Sequence, residues 1–414
     1  MEQITTNNCE VKWYEYTLLL FIILWSGGGF TYGLFSVWMI VFLPIVGYLF
    51  INKRLNFNTE EIIIFAIILV VLLFQMVKFN GDIKSIVRPY LTVIVCAMIA
   101  RLIGNSFPKI YVNLIYIVSA ICLTLWCICQ IPVGLDILRS LASQMPLLGW
   151  DNIEDNTNIV DTLYIFSIPR SFDDIMRNSG PFWEPGRFTI FITLALAINL
   201  FHNKESLLSK RNVVLMLTNI TTFSTTGYLA MGVLLIGYVF CSDIKLHKKF
   251  IIGTLLACIA VYITNLDFMS DKIIQQSSDT SSWSRFGAMA YHWSQIEESP
   301  LIGYGPYLSN AFSEGLFSSP NGLTDLIRYY GIPFSLVLYT LLYKSTKTYI
   351  VHSVSFSNII TFIVLLILCF SQTITYSPFF YLLYFFTFNE SNTSVKIYRT
   401  KKLNNGSRVT GSAI

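Results

Sequence analysis

EIIIFAIILVVLLFQMVKF, residues 61–79, decides the fold. Between Glu61 and Lys78 its only polar side chain is Gln75. Its length matches the roughly 20 apolar residues, range about 17–25, that carry a helix across a bilayer. Working outward, similar windows lie near 14–31, 34–51, 89–104, 110–131, 186–201, 211–224, 226–241, 250–266, 323–343, 357–373 and 375–389, about twelve spans in all. The short pair at 211–241 is interrupted by the polar string Thr221-Thr222-Phe223-Ser224-Thr225-Thr226-Gly227. Polar backbone at membrane depth is tolerated only where protein buries it or it lines a wet cavity.

Composition points the same way. Of the 414 residues, 54 % are apolar or aromatic and 13 % charged, against about 25 % charged in soluble domains. Mean hydropathy is +0.59. A disordered or collagen-like chain is excluded, and a net charge of +4 is too small to argue for nucleic acid. None of the eight cysteines forms a CxxC pair, and seven lie in or beside apolar stretches, so they read as small hydrophobes. Nothing in the sequence requires a metal or another cofactor. The first apolar run lacks an A-x-A cleavage site and reads as a retained helix.

Lysine and arginine set the orientation. With the N-terminus cytoplasmic, the inner segments hold roughly two-thirds of the 28 Lys and Arg residues. They culminate in a basic tail over 389–414, and both termini are expected inside. The expected architecture is all-α and polytopic, a single membrane domain over 1–414 with two long outer loops, 132–185 and 267–322. Loops this long are usually functional. Both carry helical patterning. Leu135, Leu138, Leu141 and Met145 predict an interfacial helix, Ser171 to Asp174 resembles a capping box, and Ser282 is placed to cap a helix reaching about Glu298.

Every basic residue from 132 to 188 is arginine (139, 170, 177 and 187), and Arg285 lies in the second loop. Arginine's planar fork matches phosphate oxygens bidentately. Outer arginines beside a membrane therefore point to an anionic lipid-linked ligand; pairing with loop acids is the alternative. Three strings stand out. Arg177-Asn-Ser-Gly180-Pro-Phe-Trp183-Glu184-Pro185-Gly-Arg187 fixes two arginines and a carboxylate between prolines and glycines, with Pro185 suited to a helix's first turn. Arg285 and His292 are seven apart and share a helix face, Trp293 follows, and Pro300-Leu-Ile-Gly303-Tyr-Gly305 closes the string; His292 is the only outer histidine. In the third, Asn321 precedes Asp325 and Arg328, whose spacing allows a pair on one face.

Together these strings resemble the superfamily of O-antigen polymerases (Wzy-type) and O-antigen ligases, membrane glycosyltransferases of bacterial envelopes. Arg177, Gly180, Phe182, Glu184 and Pro185 match its R-x-x-G-x-F-x-E-P segment. Phe223 to Tyr228 resembles its short polar turn, and Arg285, Trp293, Pro300, Leu301, Gly303 and Gly305 match its second motif. Ligases of the superfamily carry His-Asn ahead of a glycine; here Asn321 and Gly331 keep the spacing but Pro320 stands at the histidine position. That favours a polymerase over a ligase. A transporter or flippase is the rival from another class, and no internal repeat speaks for it.

The resemblance implies a GT-C-like fold in the bacterial inner membrane. It also implies joining of undecaprenyl-diphosphate-linked repeat units into O-antigen, capsular or exopolysaccharide on the periplasmic face. Donor and acceptor would both be lipid-linked glycans, with a chain-length regulator as a further membrane partner. Displacing a diphosphate gathers negative charge on the leaving group, which preplaced cations stabilise. Arg187 and Arg285 are the first candidates for that role, with Arg177 and Arg328 beside them and Asn321 in the binding set. Glu184, then His292, are the candidate bases or orienters, and Trp183 and Trp293 are placed to stack on sugars.

Overall fold

A helix that is hydrophobic all round belongs in the middle of a bundle. The segment Pro185–Phe201 (α7) takes that place, with every residue from Phe188 to Phe201 buried. The computed structural model describes residues 12–28, 35–145, 160–169, 176–242, 284–311, 320–350 and 356–389, and isolated residues between 245 and 254. Before α7 come α1 (Trp13–Trp25), α2 (Phe35–Asn52), α3 (Thr59–Lys78), α4 (Lys84–Ile103), α5 (Phe107–Cys129) and α6 (Pro132–Ser143). After it come α8 (Lys210–Thr221), α9 (Thr225–Cys241), α10 (Arg285–Glu298), α11 (Gly322–Tyr330), α12 (Ile332–Tyr349), α13 (Ser357–Phe370) and α14 (Pro378–Phe385).

The protein is all-α apart from one antiparallel hairpin among the described residues, β1 (Val160–Thr162) with β2 (Ser167–Pro169), Asp161 opposite Ile168. That hairpin lies in the first long loop, where helix alone was expected. A helix does form there, α6, which buries Leu138 and Ala142 and turns Leu141 outward. Most of the window at 250–266, the capping box at Ser171–Asp174, Arg170, Ser282 and the basic tail beyond Asn389 lie outside the described residues.

α5, α8, α9 and α13 surround α7. Stacked rings fasten its outer end: Phe182 on Phe191 at 4.6 Å, and Phe379 against both Phe191 and Tyr111. One expected span is broken. The window 323–343 divides at Gly331, whose φ of +76° suits glycine. A Cβ there would meet the Leu301 carbonyl oxygen at 2.4 Å. The loop at 300–304 takes over the freed backbone groups: Ile332 N–H donates to Pro300 O at 2.7 Å, and Tyr304 N–H to Arg328 O at 2.9 Å. α11 is therefore a short helix standing apart from α12.

Among the described residues, two helical stretches are long and apolar enough to cross a membrane, Thr59–Lys78 and the run Lys84–Cys129 through α4 and α5. α3 exposes one apolar face and buries a mixed one, on which Ile64, Phe65, Ile68 and Leu72 lie beside its two polar residues. Ile63, Ile67, Val70, Phe74 and Val77 are exposed, while Glu61 and Gln75 are buried. Glu61 accepts from its own cap, Asn58 N–H, at 2.7 Å and forms an ion pair with buried Arg101 of α4. Arg101 also donates to Phe388 O at 3.0 Å, which bolts the end of the last helical segment to the bundle.

Removing one partner of a buried ion pair strands the other charge, a loss of about 3–5 kcal/mol. Arg101→Met is therefore expected to unfold at a markedly lower temperature than wild type. The double variant Glu61→Gln/Arg101→Met should recover most of the loss. Identical Tm values for wild type and Arg101→Met would contradict this role.

Candidate functional site

Three helix N-termini at the second and third motifs and their neighbours are capped by short polar side chains, and a fourth, that of α7, lies near them. Ser224 caps α9 by accepting from Gly227 N–H at 3.2 Å. Ser284, rather than the expected Ser282, caps α10 by accepting from Gly287 N–H at 2.9 Å. Asn321 caps α11, its Oδ1 accepting from Leu323 N–H at 3.1 Å and Thr324 N–H at 3.3 Å. Glu184 stands at the N-cap of α7 with Pro185 in the first turn.

Three of these caps meet. Asn321 Nδ2 donates to Arg285 O at 3.3 Å, and the Arg285 guanidinium reaches Thr225 Oγ1 at 3.5 Å. Further along, His292 Nδ1 is 2.8 Å from Thr324 Oγ1, and Arg328 donates to Gln295 Oε1 at 3.2 Å. Residues 285, 292 and 295 of α10 thus match 321, 324 and 328 of α11 in the same order. The two helices run side by side in the same direction, with both positive ends beside the α9 N-terminus. Each such end carries about half a positive charge.

Arg177 joins them from the loop before α7. The polar turn between α8 and α9 carries Phe223 at φ +46°, and its carbonyls bind the loop that leads to α7. Arg177 Nε donates to Thr222 O at 3.1 Å, Asn178 N–H to Thr221 O at 2.9 Å, and Asn178 Nδ2 to Thr221 Oγ1 at 3.0 Å. Burial pushes the pKa of Arg177 and Arg285 below the ordinary arginine value. The Glu184 carboxylate opposes this in both, and Arg177 adds to it at Arg285. Arg177, Arg285 and exposed Glu184 therefore form one electrostatic cluster, although about a hundred residues separate its parts.

Arg187 does something else. Its guanidinium lies over the Trp183 ring at 4.7 Å. It donates to Ser26 O at 3.2 Å and to Thr373 O at 3.3 Å. A Cβ at Gly27 would stand 2.5 Å from its NH1. This side chain ties α7 to the ends of α1 and α13, where helix C-termini present unpaired carbonyls.

His292 is wholly buried, not exposed in its loop, and among the described residues its Nε2 has no hydrogen-bond partner. Burial, then the nearby Arg328 charge, push its pKa down to about 3, so it stays neutral at ordinary pH. Trp293, next to it, is exposed beside an apolar cleft of about 470 Å³ lined by Met289, Ala290, Trp293 and Thr324. Arg328 pairs with Asp325 as the spacing predicts, and Tyr376 OH donates to Asp325 Oδ2 at 2.7 Å. Tyr376, Tyr304 and Gln295 were not singled out by sequence; an aromatic in an apolar run carries no mark of a polar task.

Comparison with protein-family models, with curated proteins and with solved structures returns no match.

A histidine whose pKa is lower folded than unfolded contributes stability that is complete above about pH 6.5 and is lost as pH falls toward about 3. The slope approaches 1.4 kcal/mol per pH unit, or about that. His292→Asn should lack this component, so the Tm gap between wild type and variant should narrow from about pH 7.5 to about pH 4.5. A gap independent of pH would contradict the buried, neutral state.

Proposed function

We propose that this chain is a polytopic membrane glycosyltransferase of about twelve spans that joins lipid-linked oligosaccharide repeat units, a polymerase of the O-antigen type. The single observation that carries the reading is the gathering of Arg177, Arg285 and Glu184 at the converging N-termini of α9, α10 and α11. Its setting supports the membrane part. α3 turns apolar residues outward and buries its carboxylate, the pattern expected where lipid is the solvent. The apolar cleft beside α10 offers surface suited to a polyprenyl carrier.

The chemistry follows from the charges. A hydroxyl of the acceptor's end sugar attacks the anomeric carbon of the donor, the bond to the diphosphate oxygen breaks, and the leaving group carries off the electron pair. Arg177 and Arg285 are preplaced for that charge, with three helix N-termini adding to the field. The acceptor proton goes to Glu184, an exposed carboxylate in the same cluster. His292 is a poor proton acceptor, because burial and Arg328 disfavour its cation. Its part is to hold Thr324 and so the α10–α11 register. Arg187, with its fork on two backbone carbonyls, positions α7 and hence Glu184.

A strain lacking the protein should accumulate carriers bearing single repeat units. Free long polymer would instead indicate a ligase, and units trapped on the cytoplasmic leaflet a flippase. Losing one preplaced donor costs about 10²–10³ in rate, and lysine cannot replace arginine's planar fork. Arg177→Lys and Arg285→Lys should therefore lose most polymer at normal protein abundance, whereas Arg187→Lys should lower abundance as well. Full-length polymer in both Arg177→Lys and Arg285→Lys would overturn the proposed site.

A further inference from the structure

A cavity of about 250 Å³ opens at the other end of α11, between that helix and the loop at 304–309. Asp325 and Arg328 line it, with Tyr304, Tyr329 and Tyr376 around them and exposed Ser309 at its edge. It is smaller than the roughly 300–1,000 Å³ of drug-sized sites, on the scale of a single sugar ring.

Its chemistry differs from that of the arginine cluster. Asp325 and Arg328 pair with each other, Arg328 also holds Gln295, and Asp325 accepts from Tyr376 OH. The pair is close to neutral and gives an anion little net attraction. A carboxylate still offers further lone pairs, and a guanidinium carries five N–H groups. A neutral polyhydroxyl ligand finds both acceptors and donors there. The aromatic walls are rigid and flat. Tyr329 stacks on Tyr376 with ring centres 4.8 Å apart, and Tyr304 on Phe79 at 4.9 Å. Such faces suit the C–H surface of a pyranose.

The cavity is built rather than incidental. Tyr304 OH donates to Gln295 O at 2.9 Å, and Gln75 of α3 donates to Tyr329 O at 2.8 Å from behind. Gly305, at φ +57°, has Gln75 Oε1 only 1.9 Å from where a Cβ would stand, so the second glycine of the Pro300–Gly305 string is needed for this wall to close. Along α11 the step from Asn321, at the arginine cluster, to Arg328 is seven residues, or roughly 10 Å of helix. That separation is the length of one or two sugar units.

We propose that this cavity is a glycan subsite that takes one neutral sugar residue of the acceptor while the arginine cluster holds the donor's diphosphate. The inference rests on the polymerase reading for the word acceptor, but the binding of sugar itself does not depend on it.

The test uses purified full-length protein and saturation-transfer NMR. The probes are a panel of neutral monosaccharides and the oligosaccharide released from lipid carriers that accumulate in the deletion strain. Ser309→Trp fills the cavity from its exposed edge, Leu308→Trp is a second way to fill it, and Ser294→Trp on the exposed face of α10 is the control. Wild type and Ser294→Trp should show a glycan signal that falls at least tenfold in both filled variants and persists in Arg285→Lys. No signal from any probe on wild type, or an undiminished signal in both filled variants, overturns the subsite whatever the polymer phenotype. A signal that behaves as expected, in a protein whose deletion strain still makes full polymer, keeps the subsite and removes the polymerase reading.

Discussion

Asn321 joins two helices through one side chain. Its carbonyl oxygen closes the first turn of α11, and its amide nitrogen holds the carbonyl of Arg285, the first residue of α10. Ordinarily two positive helix ends repel, and nothing in helix packing requires them to be adjacent. Here the amide fixes them side by side, the Thr324–His292 contact keeps the register, and Arg285 adds a full charge to the same end. The positive field at the mouth of α7 depends on that link. A region built this way is costly without an anion and well suited to one that forms during a reaction.

The rest of the fold serves to keep this mouth rigid. Arg187 spends its fork on the carbonyls of Ser26 and Thr373, so the α7 N-terminus carrying Glu184 is held from two sides. The loop segment at 177–178 lies on the carbonyls of the α8–α9 turn, which brings Arg177 beside α9. Elsewhere, the Glu61–Arg101 pair ties α3 to α4, and the aromatic stack through Phe182, Phe191 and Phe379 ties α7 to the loop before it and to α14. On α3, Glu61 and Gln75 turn inward with Ile64, Phe65, Ile68 and Leu72, and a second apolar face turns outward.

Much of the helical framework was legible because long apolar windows, Pro185 and Asp325–Arg328 are local signals. The spacing of Arg285 and His292 likewise put them on one helix, as found. The break at Gly331 was not read, since an apolar run continues through it. What stops the helix is a loop thirty residues upstream in sequence that claims its backbone groups. The cap of α10 was placed two residues early because Ser282 and Ser284 are equally good caps by type. The hairpin at 160–169 is held by pairing, which alternation over three residues is too short to announce. Above all, sequence spacing could not say that Arg177 would lie near enough to Arg285 for each to feel the other's charge, or that Arg187 would donate to the Ser26 and Thr373 carbonyls. That depends on which loops close, and loop closure leaves no periodic mark.

We propose that the arginine cluster drives glycan transfer between lipid-linked units. It is tested most directly by reconstituting the purified protein in liposomes with lipid-linked single repeat units and following chain length together with release of the polyprenyl diphosphate. The account predicts a ladder of longer lipid-linked products, with one diphosphate carrier released for each unit added and both lost together in Arg285→Lys. Repeat units that cross the bilayer without growing, or growth that Arg285→Lys leaves unchanged, would contradict it.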